Sequence, residues 1–194
     1  MSKKIHTIQS SDKKEFDKQV NQFLELGGEL MDGGYQVINT DDGVVYSQVI
    51  VFKKNCEVEF WDNGQLQCFS NIHGDGKLDG VFIQWYEDGQ KKYERTYKDG
   101  EEDGLLTIWY EDGQKRSEVT YKDGKIDGLL TCWYEDGQKR LEATYKDGKL
   151  NGKWISWYEN GQKKQEATYK YWELISEKCW DEDGNEIDCD ELEE

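Results

Sequence analysis

Proline is absent from these 194 residues, histidine and methionine occur twice each, and basic residues are outnumbered 25 to 42 by acidic ones. Each shortage excludes something. Without proline the turns fall to glycine, present 20 times, in company with Asp and Asn, the residues that tolerate positive φ. With only His6 and His73, and five cysteines (Cys56, Cys68, Cys132, Cys179, Cys189) lacking any Cys-x-x-Cys spacing, no zinc site is expected. No apolar run is long enough to span a bilayer, and Met-Ser-Lys-Lys-Ile-His leads into no apolar stretch of a secretory signal. The expected location is the cytoplasm, with the cysteines reduced.

The formal charge of −17 is unevenly placed. Residues 1–55 hold seven Lys against eight acids, whereas the rest holds 18 bases against 34 acids. Such a field repels nucleic-acid phosphates and anionic lipid, so neither nucleic acid nor membrane is the expected partner. It attracts basic proteins. A mean hydropathy of −1.01 approaches the disordered range, but aromatic residues at 13%, eight of them Trp, argue for order. Large flat side chains let a thin sheet bury area that it cannot bury in a core.

The strongest pattern is a 24-residue repeat. Trp-Tyr-Glu-Asp/Asn-Gly-Gln-Lys-Lys/Arg begins at Trp85, Trp109, Trp133 and Trp157, and Thr-Tyr-Lys recurs at Thr96, Thr120, Thr144 and Thr168. A fixed period of this size marks an array whose units bury their apolar faces only against neighbours. Degenerate units at Phe60–Gln65 and Trp180–Gly184 read as caps. Within a unit, Leu105–Tyr110 and Lys115–Tyr121 read as strands around Asp112-Gly113, and a further Asp-Gly pair, Asp123-Gly124, leads to the next strand. Some eleven or twelve strands are expected in one antiparallel ribbon. A type I′ turn at Asp112-Gly113 pairs Tyr110 with Lys115, Ile108 with Ser117 and Leu106 with Val119. It puts Trp109, Arg116 and Glu118 on the opposite face, with Trp beneath the facing Arg or Lys. A three-residue loop with a glycine bulge, the alternative, exchanges these partners.

Residues 1–55 do not share the period. Lys4–Gln9 reads as a strand, Ser10-Ser11-Asp12 as N-caps for a helix with Phe16, Val20, Phe23 and Leu24 on one face, and Gly27-Gly28 as its end. Two strands follow, about 29–38 and 44–52, around Asp41-Asp42-Gly43. The domains are therefore a small βαββ unit (1–55), the hairpin array (56–184) and an acidic tail (185–194), with mobility expected beyond Ile187.

Val20-Asn21-Gln22-Phe23-Leu24, Gly27, Leu30 and Tyr46-Ser47-Gln48-Val49 resemble a small bacterial βαββ domain of unknown function. Trp157-Tyr158-Glu159-Asn160-Gly161-Gln162 and Tyr145-Lys146-Asp147-Gly148-Lys149-Leu150-Asn151-Gly152 resemble the bacterial variant of MORN repeats, an antitoxin-like repeat family. That resemblance implies an extended single-layer antiparallel β-hairpin array, in proteins that act as scaffolds or as antitoxins.

Invariant columns are what stacking demands, so positions that vary between units, Tyr93, Ser117, Leu141 and Gln165, best report partner choice. The aromatic column Trp85, Trp109, Trp133 and Trp157 offers interface anchors as a second candidate set. The Asp pairs 75/79, 99/103 and 123/127 lack the oxygen ligands of a calcium loop and read as turn chemistry. No His, Cys or Ser recurs in a catalytic constellation, and Cys132 reads as a packing residue. The expected function is non-catalytic protein binding without cofactor or metal, in the manner of an antitoxin of a basic partner. The alternative is a scaffold or a membrane-associated MORN-type protein.

Overall fold

The computed structural model describes the backbone of residues 4–10, 13–26, 28–30, 36–40, 43–52 and 56–192, with the side chains of 14, 16–22, 24–26 and 56–192. Two sheets result. The first holds β1 (Lys4–Ser10), β2 (Gly28–Leu30), β3 (Gln36–Thr40) and β4 (Gly43–Phe52), with helix α1 (Lys13–Glu25) between β1 and β2. β4 is central: β1 runs antiparallel along one side, from Lys4 opposite Phe52 to Ser10 opposite Tyr46, and β2 and β3 share the other. The N-caps Ser11 and Asp12, the stop at Gly27, the Asp41-Asp42 turn and the side chain of Phe23 lie outside the described residues.

The second sheet is the array, made of β5 (Cys56–Phe60), β6 (Leu66–Ile72), β7 (Leu78–Trp85), β8 (Lys91–Lys98), β9 (Glu101–Glu102), β10 (Gly104–Trp109), β11 (Lys115–Lys122), β12 (Lys125–Trp133), β13 (Lys139–Lys146), β14 (Lys149–Trp157), β15 (Lys163–Lys170), β16 (Glu173–Trp180) and β17 (Glu186–Ile187). Strands follow one another in sequence order, and only the short β9 stands off the path, paired to β8. The ribbon of hairpins is as the repeat requires.

Its turns are distributed differently from the expectation. In the Trp-Tyr-Glu-Asp-Gly-Gln segment, Tyr110 N–H donates to the Gln114 carbonyl at 2.9 Å and Gly113 N–H to the Tyr110 carbonyl at 3.0 Å, with Gly113 at φ +85°. This is the three-residue loop with glycine in the left-handed position. Asp112 Oδ1 accepts from Gln114 N–H at 2.9 Å and fixes it. The two-residue turn lies at the other Asp-Gly pair, where Asp123 and Gly124 have φ of 48° and 71° and Lys122 faces Lys125. The loop's slip is then undone by a bulge: Trp109 faces Lys115, but beyond it Ile108 faces Ser117 and Leu106 faces Val119. The Tyr110–Lys115 pair is thus wrong, and the two deeper pairs hold.

The bulge also rearranges the cations. Lys115 and Glu118 come to one side and form an ion pair, repeated at Lys91–Glu94, Lys139–Glu142 and Lys163–Glu166 at 2.5 to 2.7 Å. Arg116 swings over the ring of Tyr110, 5.8 Å from its centroid, and Trp109 is instead approached by Lys91 of the preceding unit at 5.9 Å.

Small residues are buried by placing them between large ones. Ala143 is fully buried because Leu130 and Trp154 flank it in register, and Val119 lies likewise between Leu106 and Leu130. The opposite face carries the helix over the first hairpins. Phe16 of α1 is 2% exposed and packs with Cys56, Leu66, Phe69, Ile83 and Trp85, with Val20 and Leu26 beside it. The helix α1 also meets β1, β2 and β4, so it is shared between the two sheets. Leu24, assigned to the apolar face from its spacing, is 37% exposed.

The last residues also depart from expectation. β17 pairs with Cys179 and Trp180, a short 3-10 turn spans Cys189–Glu191, and a Cys179–Cys189 disulfide fastens it. The segment up to Leu192 is therefore built into the sheet end, where the sequence suggests mobility beyond Ile187 and reduced cysteines.

Candidate interaction surfaces of the array

Strand alternation puts the two candidate columns on opposite faces. Tyr93, Ser117, Leu141 and Gln165 lie, half-buried, on the face away from the helix, opposite Gln84, Ile108, Cys132 and Ser156. The tryptophans lie on the helix side. Among them Trp85 is 3% exposed beneath Phe16, whereas Trp109, Trp133 and Trp157 are half-buried, so only these three present a ring edge to solvent.

Much of the invariant chemistry is structural. Each tryptophan carbonyl accepts a hydrogen bond from the tyrosine hydroxyl of the preceding unit: Tyr86 to Trp109 O at 2.9 Å, Tyr110 to Trp133 O at 2.8 Å, Tyr134 to Trp157 O at 2.6 Å and Tyr158 to Trp180 O at 2.9 Å. Burial holds the phenols of Tyr86, Tyr134 and Tyr158 above the ordinary range. The Gln of each turn lies against the Gly of the next, so that a Cβ added at Gly137 would meet Gln114 Oε1 at 2.9 Å. The connection aspartates join successive turns. Asp127 accepts from Lys146 Nζ at 2.8 Å and Asp147 N–H at 3.3 Å, and these donors hold its carboxyl below the usual range.

Unit one has its own cluster on the far face. The Arg95 guanidinium lies 4.6 Å from the Tyr93 ring centroid and donates to Tyr97 Oη at 3.1 Å and Glu102 Oε1 at 2.8 Å, while Phe82 stacks on Tyr93 at 5.7 Å. Arg95 here fills the column that Val119, Ala143 and Ala167 occupy later.

Along the turn edge most of the cations are engaged, and the aspartates accept within their own turns, but the turn glutamates form no ion pair among the described residues. The first base of each turn pairs with a strand glutamate, and Lys92, Arg116 and Lys164 lie over Tyr86, Tyr110 and Tyr158. Among the described residues, Glu87, Glu111, Glu135 and Glu159 are exposed and have no ion-pair partner. A hollow between successive turns is lined by Tyr110, Tyr134, Glu135, Asp136 and Glu159.

A cleft of about 300 Å³ separates the end of α1 from the sheet, with a floor of Phe69, Val81, Ile83 and Trp85 and a rim that includes Glu25, Lys91 and Glu94. Its lining has no His, Cys or Ser. Cys132 is buried opposite Leu141, as a packing residue is, and the Cys68 thiol is pushed up to about 11 by burial with Glu59 and Glu57 nearby, which leaves it protonated and unreactive.

A comparison with curated proteins returns no match. The MORN repeat variant family matches residues 78–99, 102–123, 126–147 and 150–171. Each matched stretch runs from a first strand to the following Asp-Gly or Tyr-Trp turn, the same unit that the ladder of Tyr and Gln contacts ties together. Beyond these limits the hairpin β5–β6 keeps the loop geometry, with Trp61 N–H bonded to the Gln65 carbonyl at 2.9 Å. Residues 78–171 are four tandem repeats of the MORN variant family.

Proposed function

We propose that the array is a non-catalytic protein-binding module, and that its partner is a basic protein, in the manner of an antitoxin neutralising a basic toxin. The observation that carries this is the row of exposed glutamates, Glu87, Glu111, Glu135 and Glu159, one per turn and without a cation. Successive hairpins set them about 9.6 Å apart, near a Debye length at physiological salt, so a partner meets their summed field. Tyr93, Ser117, Leu141 and Gln165 add a surface that differs from unit to unit and so can discriminate among partners. The Trp109, Trp133 and Trp157 edges supply anchors on the other face.

Isothermal titration of the chain against basic proteins, including the products of neighbouring genes, tests this. Binding that weakens steeply with added salt, and weakens when Glu111 and Glu135 become Gln, is the expected result. No binding to any of them at low salt overturns it.

A further inference from the structure

We infer that the outer edge of β16, from Glu173 to Lys178, is a docking site for an extended, lysine- or arginine-bearing strand of a partner protein. This rests on the array being a binder of basic partners. One side of β16 is paired with β15 along its whole length, from Gln165 opposite Cys179 to Lys170 opposite Glu173. On the other side β17 reaches only Cys179 and Trp180, and the Cys179–Cys189 disulfide holds the following residues at that end. Among the described residues nothing pairs with the rest of the edge. The equivalent edges of β10, β12 and β14 are each filled, by β11, β13 and β15. Open strand edges of this kind recruit strands.

A series of hydrogen bonds shows what the edge lacks. Gly100 N–H donates to Leu78 O, Gly124 to Glu102 O, Gly148 to Ile126 O and Trp172 to Leu150 O, at 2.8 to 3.0 Å. Leu174 is the next acceptor, and no described turn reaches it. The side chains tell the same story: Leu150, opposite Tyr145, is 3% exposed, whereas Leu174, opposite Tyr169, is 44% exposed. Ile175, Tyr171 and Trp172 are exposed beside it. Tyr171 and Trp172 hold φ of 49° and 74° where earlier units place Asp-Gly, a left-handed turn that costs bulky residues about 1 kcal/mol or more each. Two strained aromatic residues thus flank an apolar open edge.

Charge selects the occupant. Residues 173–191 contain nine acids and one base, Lys178, which is itself paired with Glu186 at 3.0 Å. A second copy brings the same nine acids to the edge and is repelled. A strand with apolar side chains on one face and basic ones on the other covers Leu174, opposite Tyr169, and neutralises Glu173 on the face of Lys170.

The test is hydrogen exchange and fluorescence anisotropy on the full chain, with a peptide of about eight residues alternating lysine and valine. Slowed exchange at Glu173–Lys178 is expected, as is affinity about tenfold weaker for the Leu174→Lys, Ile175→Lys double variant, whose exposed positions leave the fold intact. Equal binding of peptide, or of a basic partner protein, to wild type and double variant overturns the edge and leaves the array a binder; no binding of any basic protein removes both. Equal protection by a glutamate–valine peptide overturns the basic occupant. A dimer of the free chain, abolished by the double variant, gives the edge to a second copy and overturns it as well.

Discussion

The hydroxyl of Tyr134 donates to the carbonyl oxygen of Trp157 across 2.6 Å, and in doing so joins two repeats beside the strand bulge at Ser156 and Trp157. Two residues invariant from unit to unit therefore form a strut, and their invariance needs no ligand. What a partner reads is elsewhere, on the turn glutamates and on the columns that change.

Replacing Tyr134 by Phe removes that hydrogen bond, a loss of about 1 kcal/mol in urea denaturation. The same phenol sets an alkaline limit. Burial raises it in the folded chain, as it does Tyr86 and Tyr158, so the folded state holds these protons more tightly than the unfolded state. Their stabilisation is fully present below the ordinary phenol value of about 10 and is lost as pH rises through the folded values. Urea midpoints should fall as pH rises above about 10, and fall less in the Tyr134→Phe chain.

At the acid end the sign reverses. The Lys146 ammonium and then the Asp147 N–H depress the carboxyl of Asp127, and Asn185 does the same to Asp181. A depressed carboxyl contributes stability that is present above its unfolded value of about 4 and disappears as pH falls through the folded value. Thermal midpoints should decline below about pH 4, with a shallower decline in Asp127→Asn.

Gly137→Ala meets two obstacles at once. Its φ of +84° is left-handed, and a Cβ there comes within 2.9 Å of Gln114 Oε1. A destabilisation of about 1 to 2 kcal/mol is expected by chemical denaturation. Gly74→Ala, in open space without a positive φ, is the control and should change little.

Phe16→Ala empties the centre of the helix seat. Truncating a buried Phe costs about 3 to 5 kcal/mol where the site cannot collapse. In an array held by nearest-neighbour contacts the damage is local. Hydrogen exchange should accelerate at Leu66–Trp85 and stay unchanged at Lys115–Lys146; uniform acceleration would show that the helix supports the whole ribbon.

The ribbon was legible because strand spacing, Asp-Gly turns and aromatic columns all repeat with one period. The placement of the turns was not, since each of the first three units carries three Asp-Gly pairs and dipeptide preference cannot rank them. One signal could have done so. Lys115 and Glu118, and their counterparts in all four units, are three apart, an odd spacing that puts them on opposite faces of a regular strand; their pairing requires the bulge. The helix seat was also written in the columns. Leu66 and Phe69 stand where later units have Lys and Glu, two apolar substitutions under Phe16 alone. The Cys179–Cys189 bridge had no such signal, because ten residues of separation become 5.2 Å only after the last turn is folded. As for the candidate surface, both columns could be named from sequence, but only the pairing register shows that they face opposite ways and that the helix takes Trp85.

The struts span 23 residues in the regular units and 22 at Tyr158–Trp180, where one residue is missing from the connection and the bond survives at 2.9 Å. Each joint thus refers only to its neighbour and keeps no account of its place in the series. Duplication or excision of a whole unit would lengthen or shorten the ribbon by about 9.6 Å without breaking a joint elsewhere. Reach is therefore a quantity that recombination can adjust in steps, independently of what each step recognises.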